Sequence, residues 1–131
     1  MSDHTQRRRV FILSPYRASE ARSAEEHAAH ATRLVKAALA AGFAAFAPHL
    51  FYPLFLDDLI QADRDAGIDS GIAWMLGSDQ VWIWDLWGIS EGMRREVGKL
   101  GSWGPLVLWA SRREIPAWAS IVREDLGEAV S

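Results

Sequence analysis

The chain has 131 residues, the usual size of one domain. Half of the residues are hydrophobic and 24% are charged, which is the composition of a globular protein rather than of a disordered segment. The formal net charge of −3 argues against a dedicated nucleic-acid-binding protein, which is normally basic. Because cysteine is absent, disulfides, iron–sulfur clusters and thiol nucleophiles are excluded.

No apolar run approaches the roughly 20 residues that span a bilayer, and the polar residues at the N-terminus do not resemble a signal peptide. We therefore expect a cytoplasmic protein with no membrane partner and no nucleic-acid partner. The single domain is expected to cover residues 1–131, with residues 1–8 as a flexible arm.

Four short apolar runs of strand type alternate with helical segments along the chain. The predicted strands are 10–13, 43–47, 81–84 and 106–109. The predicted helices run from a capping box at Ser23 to Gly42, over 63–76, from Ser90 to Leu100, and from Pro116 to about Gly127. Residues 49–62 contain Pro53 and are predicted to form a loop or short helix over the sheet edge.

This alternation predicts an α/β fold in three layers, with a parallel sheet of four or five strands of the Rossmann or flavodoxin type. Ligands bind such sheets beyond the carboxyl ends of the strands. That rule selects four segments for the site: 14–19, 48–58, 85–92 and 110–113. Asp79 precedes its strand, so we expect it to be a structural cap at the opposite edge.

The segment 88–96 carries the most specific local pattern. A helix N-terminus attracts anions, and Ser90 adds a hydroxyl there, while Gly92 leaves room for a ligand. Glu96 lies about 9 Å along the helix axis from Ser90, a span that fits a sugar between a phosphate and a carboxylate. A carboxylate beside an anomeric carbon is suited to glycosidic chemistry. The alternative is that Ser90 is only a helix cap and Glu96 a solvated residue paired with Arg or Lys.

Several segments, taken in order, resemble the nucleoside 2-deoxyribosyltransferase-like superfamily over residues 10–97, and in particular a small branch found in bacteria and phages. The matching segments are Ser14-Pro15-Tyr16, Ala47-Pro48-His49-Leu50, Phe55-Leu56-Asp57-Asp58, Ser78-Asp79-Gln80-Val81-Trp82, and Ile89-Ser90-Glu91-Gly92-Met93 with Glu96.

The resemblance implies that Glu96 is the nucleophile that attacks the anomeric carbon and displaces the base. It also implies a nucleotide substrate, because related nucleoside 5′-monophosphate N-glycosidases have a Ser where this chain has Ser90, whereas transferases of free nucleosides have an Asp. Hydrolysis is therefore favoured over transfer, with no cofactor and no metal. Further expected substrate contacts are Ser14, Tyr16, Arg17, His49, Asp58, Asp69, Trp87, Gly92 and Met93. Members of the superfamily are homo-oligomers with sites near subunit interfaces, so a homo-oligomer is expected here.

Two positions depart from the superfamily. Phe11 stands where a Tyr commonly bonds the nucleophile, and Gly71 stands where an Asp lies near the leaving base. Asp69 and an upstream acidic run are the alternative proton donors, the run being Asp57, Asp58, Asp63 and Asp65. These departures keep two other hypotheses open: a nucleotide-binding or sensing module without turnover, and an oligomeric scaffold.

The remaining clusters favour structural roles. His27 and His30 are one helical turn apart, and we expect a solvated helix face rather than a metal site. The acidic run is better explained by helix caps than by a cation site. Trp82 and Trp84 are predicted to point into the core, and Trp87 to stack on a base or a subunit. Helix–sheet packing or a partner interface is expected for Trp103, Trp109 and Trp118.

Overall fold

A computed structural model describes residues 6–17, 19 and 22–115. The described chain forms a four-stranded sheet in which every pairing is parallel and the strand order is β2-β1-β3-β4. The strands are β1 Arg9–Leu13, β2 Ala44–Phe46, β3 Gln80–Ile83 and β4 Leu106–Trp109. This order is that of the first four strands of the flavodoxin type, and the predicted parallel α/β fold is confirmed.

Helices cover both faces of the sheet. They are α1 Ala24–Ala40, α2 Gln61–Leu76 and α3 Glu91–Val97. The α1 side of the core contains Leu34 and Ala38 packed on alternate residues of the strands, among them Trp82. The opposite side, called the second core layer below, contains Met75 from α2 and Met93 from α3, packed on the strand residues that lie between those of the first set. The alternation of side chains along β1 and β3 therefore divides the core into two layers.

Local sequence signals set several element ends as predicted. Ser23 and Glu26 form the expected capping box, each side chain accepting the other's backbone N–H at 3.1 Å. Gly42 follows α1 with a φ of +94°, a conformation that side chains disfavour. Asp79 is the predicted structural cap, because its Oδ2 accepts the backbone N–H of Arg9 at 2.7 Å.

Other boundaries differ from the prediction. α2 begins at Gln61 rather than at Asp63, and α3 ends at Val97 rather than at Leu100. After α3 the N–H groups of Lys99 and Leu100 bond three residues back, to Glu96 and Val97, so the chain tightens and leaves the helix. Residues 48–54 form two short 3₁₀ turns, Pro48–Leu50 and Tyr52–Leu54, in the region predicted as a loop or short helix.

The expectation that His27 and His30 lie on a solvated face is wrong. Each is only 3% exposed. The ring of His30 lies 4.3 Å from that of Trp84 and 4.4 Å from that of Trp87, and the Arg22 guanidinium lies 3.7 Å above Trp87. The two indoles after β3 thus cover this face of α1, and burial lowers the pKa of His30 to about 3.

The tryptophans fall into different environments. Trp82 and Trp84 are each 1% exposed, which confirms their predicted place in the core. Trp109 packs partly against the second core layer, whereas Trp103 is 92% exposed, so the packing expected of Trp103 is not seen against any described residue. The predicted helix from Pro116, including Trp118, lies outside the described residues, as do residues 1–5 of the expected arm.

Arg7, which lies in the expected arm, donates from Nη1 to the carbonyl oxygens of Leu39 and Phe43 at 3.2 and 3.0 Å.

Among the described helices, none combines the length and the apolar character that crossing a bilayer demands.

Trp82, which is buried, and Trp103, which is exposed, together test the assignment of Trp82 to the core. We expect Trp82→Ala to lower the free energy of unfolding by about 3–5 kcal/mol, because it opens a large cavity between α1 and the sheet. Trp103→Ala, the matched control at an exposed site, should change it by less than about 0.5 kcal/mol. Urea unfolding measures both values, and similar losses in the two variants would contradict the assignment.

Candidate functional site

A cavity of about 290 Å³ opens at the carboxyl edge of the sheet. It lies where the chain leaves β1, between the 3₁₀ turns that follow β2 and the first turns of α2 and α3. This is the edge that the sheet rule selects. Nine of the eleven predicted site residues line it, namely Ser14, Tyr16, Arg17, His49, Asp58, Ser90, Gly92, Met93 and Glu96.

Glu96 is the buried acid of this cavity. Its side chain projects from the last turn of α3 and is 8% exposed, and its Oε2 atom accepts no hydrogen bond from the described residues. Burial raises the pKa of Glu96 to about 7, against the opposing positive charge of Arg95. The alternative of a solvated residue paired with Arg or Lys is therefore wrong, and near pH 7 the acid is divided between its two protonation states.

Glycine on α2 makes room for this carboxyl group. A Cβ atom added at Gly71 would lie 3.6 Å from Oε2 of Glu96 and 3.7 Å from Cβ of Pro48. The position where the superfamily is expected to carry an Asp thus faces the carboxylate directly, and here it supplies no acid. Phe11 is fully buried in the second core layer and has no hydroxyl to offer.

Ser90 is a helix cap that also borders the cavity. It is the N-cap of α3, and its Oγ accepts the backbone N–H of Met93 at 3.2 Å. It also lines the cavity, so its own hydroxyl proton remains for a ligand. The nearest atom to a Cβ added at Gly92 would be Oγ of Ser90 at 4.0 Å, which shows the space that this glycine leaves open.

Ser14 and His49 form a polar pair in the wall. Oγ of Ser14 lies 2.9 Å from Nε2 of His49, and the Ser14 side chain is buried. Burial lowers the pKa of His49 to about 4, so its imidazole is neutral at pH 7. The ring of Tyr16 lies 6.0 Å from that of His49, and burial together with the charge of Asp58 raises the pKa of Tyr16.

Arg17 and Asp58 connect two sides of the opening. The Nε of Arg17 is paired with Oδ2 of Asp58, and Nη2 also donates to the backbone oxygen of Asp58 at 3.3 Å. These contacts join the loop after β1 to the segment before α2. Arg17 was expected to contact substrate, and here its charge is matched by an adjacent carboxylate.

Two predicted contacts lie elsewhere. Asp69 is exposed on α2 and is not among the residues that line the cavity. Trp87 packs on the rings of His27 and His30, on the α1 side of the sheet. The acidic run does not cap α2 as expected: the N-cap is Ile60, without a side-chain bond, and Oδ2 of Asp63 instead accepts the N–H of Asp57 at 2.9 Å, in the segment before the helix. No group of residues suited to a metal occurs in the described part of the chain.

The structure adds cavity residues that the sequence reasoning missed. Arg64, Gly67 and Ile68 follow a helical spacing along one side of α2, a side that the sequence alone does not single out because charged residues lie on several sides of this helix. Nη2 of Arg64 lies 3.8 Å from Oε2 of Glu91. The rest of the lining adds Glu91 and the candidate proton donor Asp63, together with an apolar wall formed by Leu13, Pro48, Tyr52, Pro53 and Leu56.

Among the described residues, the cavity thus combines apolar and ring surfaces with one buried carboxyl group, two serine and two tyrosine hydroxyls, a neutral imidazole and two guanidinium groups. Such a site suits a small molecule with a flat apolar part and several hydroxyl groups. The carboxyl group is the member able to act as a nucleophile once it is ionised.

The chain belongs to the family described as Domain of unknown function (DUF7768), whose model matches residues 8–106. A search of curated proteins and a search of solved structures each found no significant match. The resemblance to the nucleoside 2-deoxyribosyltransferase-like superfamily therefore stays a prediction.

The burial of Glu96 predicts a pH-dependent cost to stability. The folded protein holds the proton of Glu96 more tightly than the unfolded chain does, so protonation stabilises the fold. This stabilisation is complete below the unfolded pKa of about 4.5 and is lost as pH rises through the folded pKa of about 7. Glu96→Gln is neutral at every pH. Its free energy of unfolding, relative to that of the parent, should therefore rise by on the order of 3 kcal/mol between acid and mildly alkaline pH.

Urea unfolding near pH 5 and near pH 8 measures this change, with Glu25→Gln as the control at an exposed carboxylate of α1. If the stability difference between Glu96→Gln and the parent is the same at both pH values, Glu96 is not buried as described.

Proposed function

We propose that this protein cleaves the N-glycosidic bond of a nucleoside or a nucleoside 5′-monophosphate, with Glu96 as the nucleophile. The observation that supports this most strongly is the buried carboxyl group of Glu96, unpaired at Oε2, in the wall of a cavity at the ligand-binding edge of the sheet. A carboxylate with few hydrogen bonds and little water around it is more reactive toward an electrophilic carbon than a solvated one.

The reaction proceeds in two displacements. The ionised carboxylate of Glu96 attacks C1′ of the sugar, the electron pair of the C1′–N bond passes to the base, and the base takes a proton. A glycosyl ester with Glu96 results. Water then attacks C1′, a proton is lost to the solvent, and the carboxylate and the free sugar are regenerated. A second base in place of water would make the same enzyme a transferase.

The apolar lining supports the binding of a base. Tyr52, Leu56 and Ile68 provide ring and aliphatic surface on the α2 side of the cavity, while the hydroxyl of Ser14 lies on the β1 side. Aromatic and aliphatic surfaces stabilise flat heterocycles, and hydroxyl groups bind sugars through hydrogen bonds.

Two of the acids considered as proton donors to the base line the cavity. They are Asp58, which is paired with Arg17, and Asp63, which accepts the N–H of Asp57. We propose that one of these or a water molecule delivers the proton. Asp69 does not line the cavity, so its predicted role as a donor has no support from its position.

Base release tests the proposal directly. Incubation with a panel of nucleosides and 5′-monophosphates should release free base, and Glu96→Gln should slow the release by about a thousandfold or more, as for other nucleophile deletions. Chromatography of the products measures it, with the exposed Glu25→Gln as the control. Equal rates from Glu96→Gln and the parent would contradict the role of Glu96.

The pKa of Glu96 predicts the pH profile. Because a nucleophile acts in its ionised form, kcat/KM should rise about tenfold per pH unit below about pH 7 and level off above it. Steady-state rates from about pH 5 to about pH 9 measure the profile. A rate that instead falls as pH rises through 7 would identify Glu96 as a proton donor.

A non-catalytic nucleotide-binding module is the second candidate. Phe11 and Gly71 favour it, because neither supplies the hydroxyl or the acid expected beside the nucleophile. Calorimetry that detects tight nucleotide binding, together with no base release from the same panel, would select this candidate.

Exposed apolar side chains support the expectation of a homo-oligomer, which stays a proposal. The most exposed of them are Leu54 at 78%, Leu59 at 91% and Trp103 at 92%. Leu54 and Leu59 lie near each other in sequence, and exposed apolar side chains that form a contiguous patch are typical of an interaction surface. The scaffold hypothesis rests on the same residues and differs in predicting no nucleotide binding.

A further inference from the structure

Arg17 and Arg64, the described arginines that line the cavity, have different partners. The guanidinium of Arg17 contacts the Asp58 carboxylate and also donates to its backbone oxygen. Among the residues that the structure describes, the carboxylate paired with Arg64 is that of Glu91, whose oxygen lies 3.8 Å away, beyond hydrogen-bond distance. Arg17 is therefore neutralised by a close contact, whereas Arg64 has only a loose one.

Burial makes this loose pairing significant. The side chain of Arg64 is 17% exposed, while that of Glu91 is 74% exposed. The nitrogen atoms of Arg64 are not among the buried atoms that lack a partner, so its N–H donors reach the open space of the cavity, and an exposed carboxylate at 3.8 Å contributes little to pairing them. Arg64 thus lines the cavity with donors that the described residues do not accept.

We propose, on the basis of the proposed function, that Arg64 binds the 5′-phosphate of a nucleoside monophosphate and that Glu91 is a counter-ion which the phosphate displaces. The planar fork of a guanidinium matches two phosphate oxygens. Ser90, the neighbour of Glu91, lines the same part of the cavity and has a hydroxyl proton to donate to a third oxygen.

The position of Arg64 agrees with the position of the nucleophile. Arg64 lies in the first turn of α2 and contacts the first turn of α3 through Glu91, whereas Glu96 lies in the last turn of α3. Six residues of helical rise separate Ser90 from Glu96, about 9 Å. A phosphate on Arg64 would thus leave the sugar between it and the carboxylate.

The other charges of the cavity make phosphate binding depend on Arg64. Within the described part of the chain, the carboxyl groups that line it are those of Asp58, Asp63, Glu91 and Glu96. Asp58 is paired with Arg17, and Asp63 accepts the N–H of Asp57. Glu91 is exposed enough to turn into solvent. Without Arg64 these acids would repel a phosphate, so we expect the removal of this one charge to reverse the selectivity.

The experiment compares a nucleoside with its 5′-monophosphate. For each, kcat/KM for base release is measured in the parent, and the dissociation constant is measured by calorimetry on Glu96→Gln. Arg64→Met should lower the preference for the monophosphate by about ten- to hundredfold, the value of hydrogen bonds to a charged group. Arg64→Lys should restore part of it, and Glu91→Gln should increase it.

Arg94→Met is the matched control, because it removes an exposed arginine of α3 that does not line the cavity. Its preference should equal that of the parent. Should Arg64→Met fail to fold, as judged by circular dichroism, Arg64→Lys and Glu91→Gln still give opposite predicted shifts in the same ratio.

The outcomes separate this proposal from the proposed function. If no base is released but Arg64→Met still weakens monophosphate binding selectively, the chemistry is wrong and the role of Arg64 stands. If base is released and the preference is unchanged in Arg64→Met, or both substrates lose equally, the role of Arg64 is wrong. Failure of every monophosphate to bind overturns the role of Arg64, and it overturns the proposed function as well only if no nucleoside releases its base.

Discussion

The burial of one carboxyl group constrains the rest of the site. Glu96 lies between α3 and α2, and Oε2 accepts no hydrogen bond from the described residues, which costs free energy that core packing must offset. Two features of the sequence make this burial possible: Gly71 leaves space on α2, and Met93 fixes α3 on the sheet one turn earlier. The second core layer therefore holds the acid in place, and the burial that costs stability also raises the pKa of Glu96.

The two faces of the sheet differ in their roles. On the α1 side, buried rings fill the space, and His27, His30, Trp84 and Trp87 pack against one another. On the other side, helices α2 and α3 have glycine at positions that border the cavity. Close packing on the α1 face gives a rigid support. On the other face, glycines leave room for a ligand because they have no side chains. Strand parity keeps the two apart, because alternate residues of β3 serve different layers.

Local patterns in the sequence predicted the strands, the capping of α1 and the edge that holds the cavity, because each depends on neighbouring residues or on the sheet topology. What failed depends on contacts distant in sequence. His27 and His30 look solvated from helical periodicity alone, since nothing local shows that Trp84 and Trp87 fold back over them. Arg64 was missed because α2 carries charged residues on several sides, so periodicity does not mark which one faces the cavity.

Charge couples the two ends of the proposed substrate site. Two unit charges about 9 Å apart interact by about 2 kcal/mol at an effective dielectric constant of about 20. A phosphate held near Ser90 would therefore oppose the ionisation of Glu96, whose pKa burial already raises to about 7. The positive charge of Arg64 beside that phosphate cancels part of this repulsion. In the proposed reaction, Arg64 thus does more than bind the anion: it lets a buried acid become a nucleophile while a phosphorylated sugar occupies the cavity.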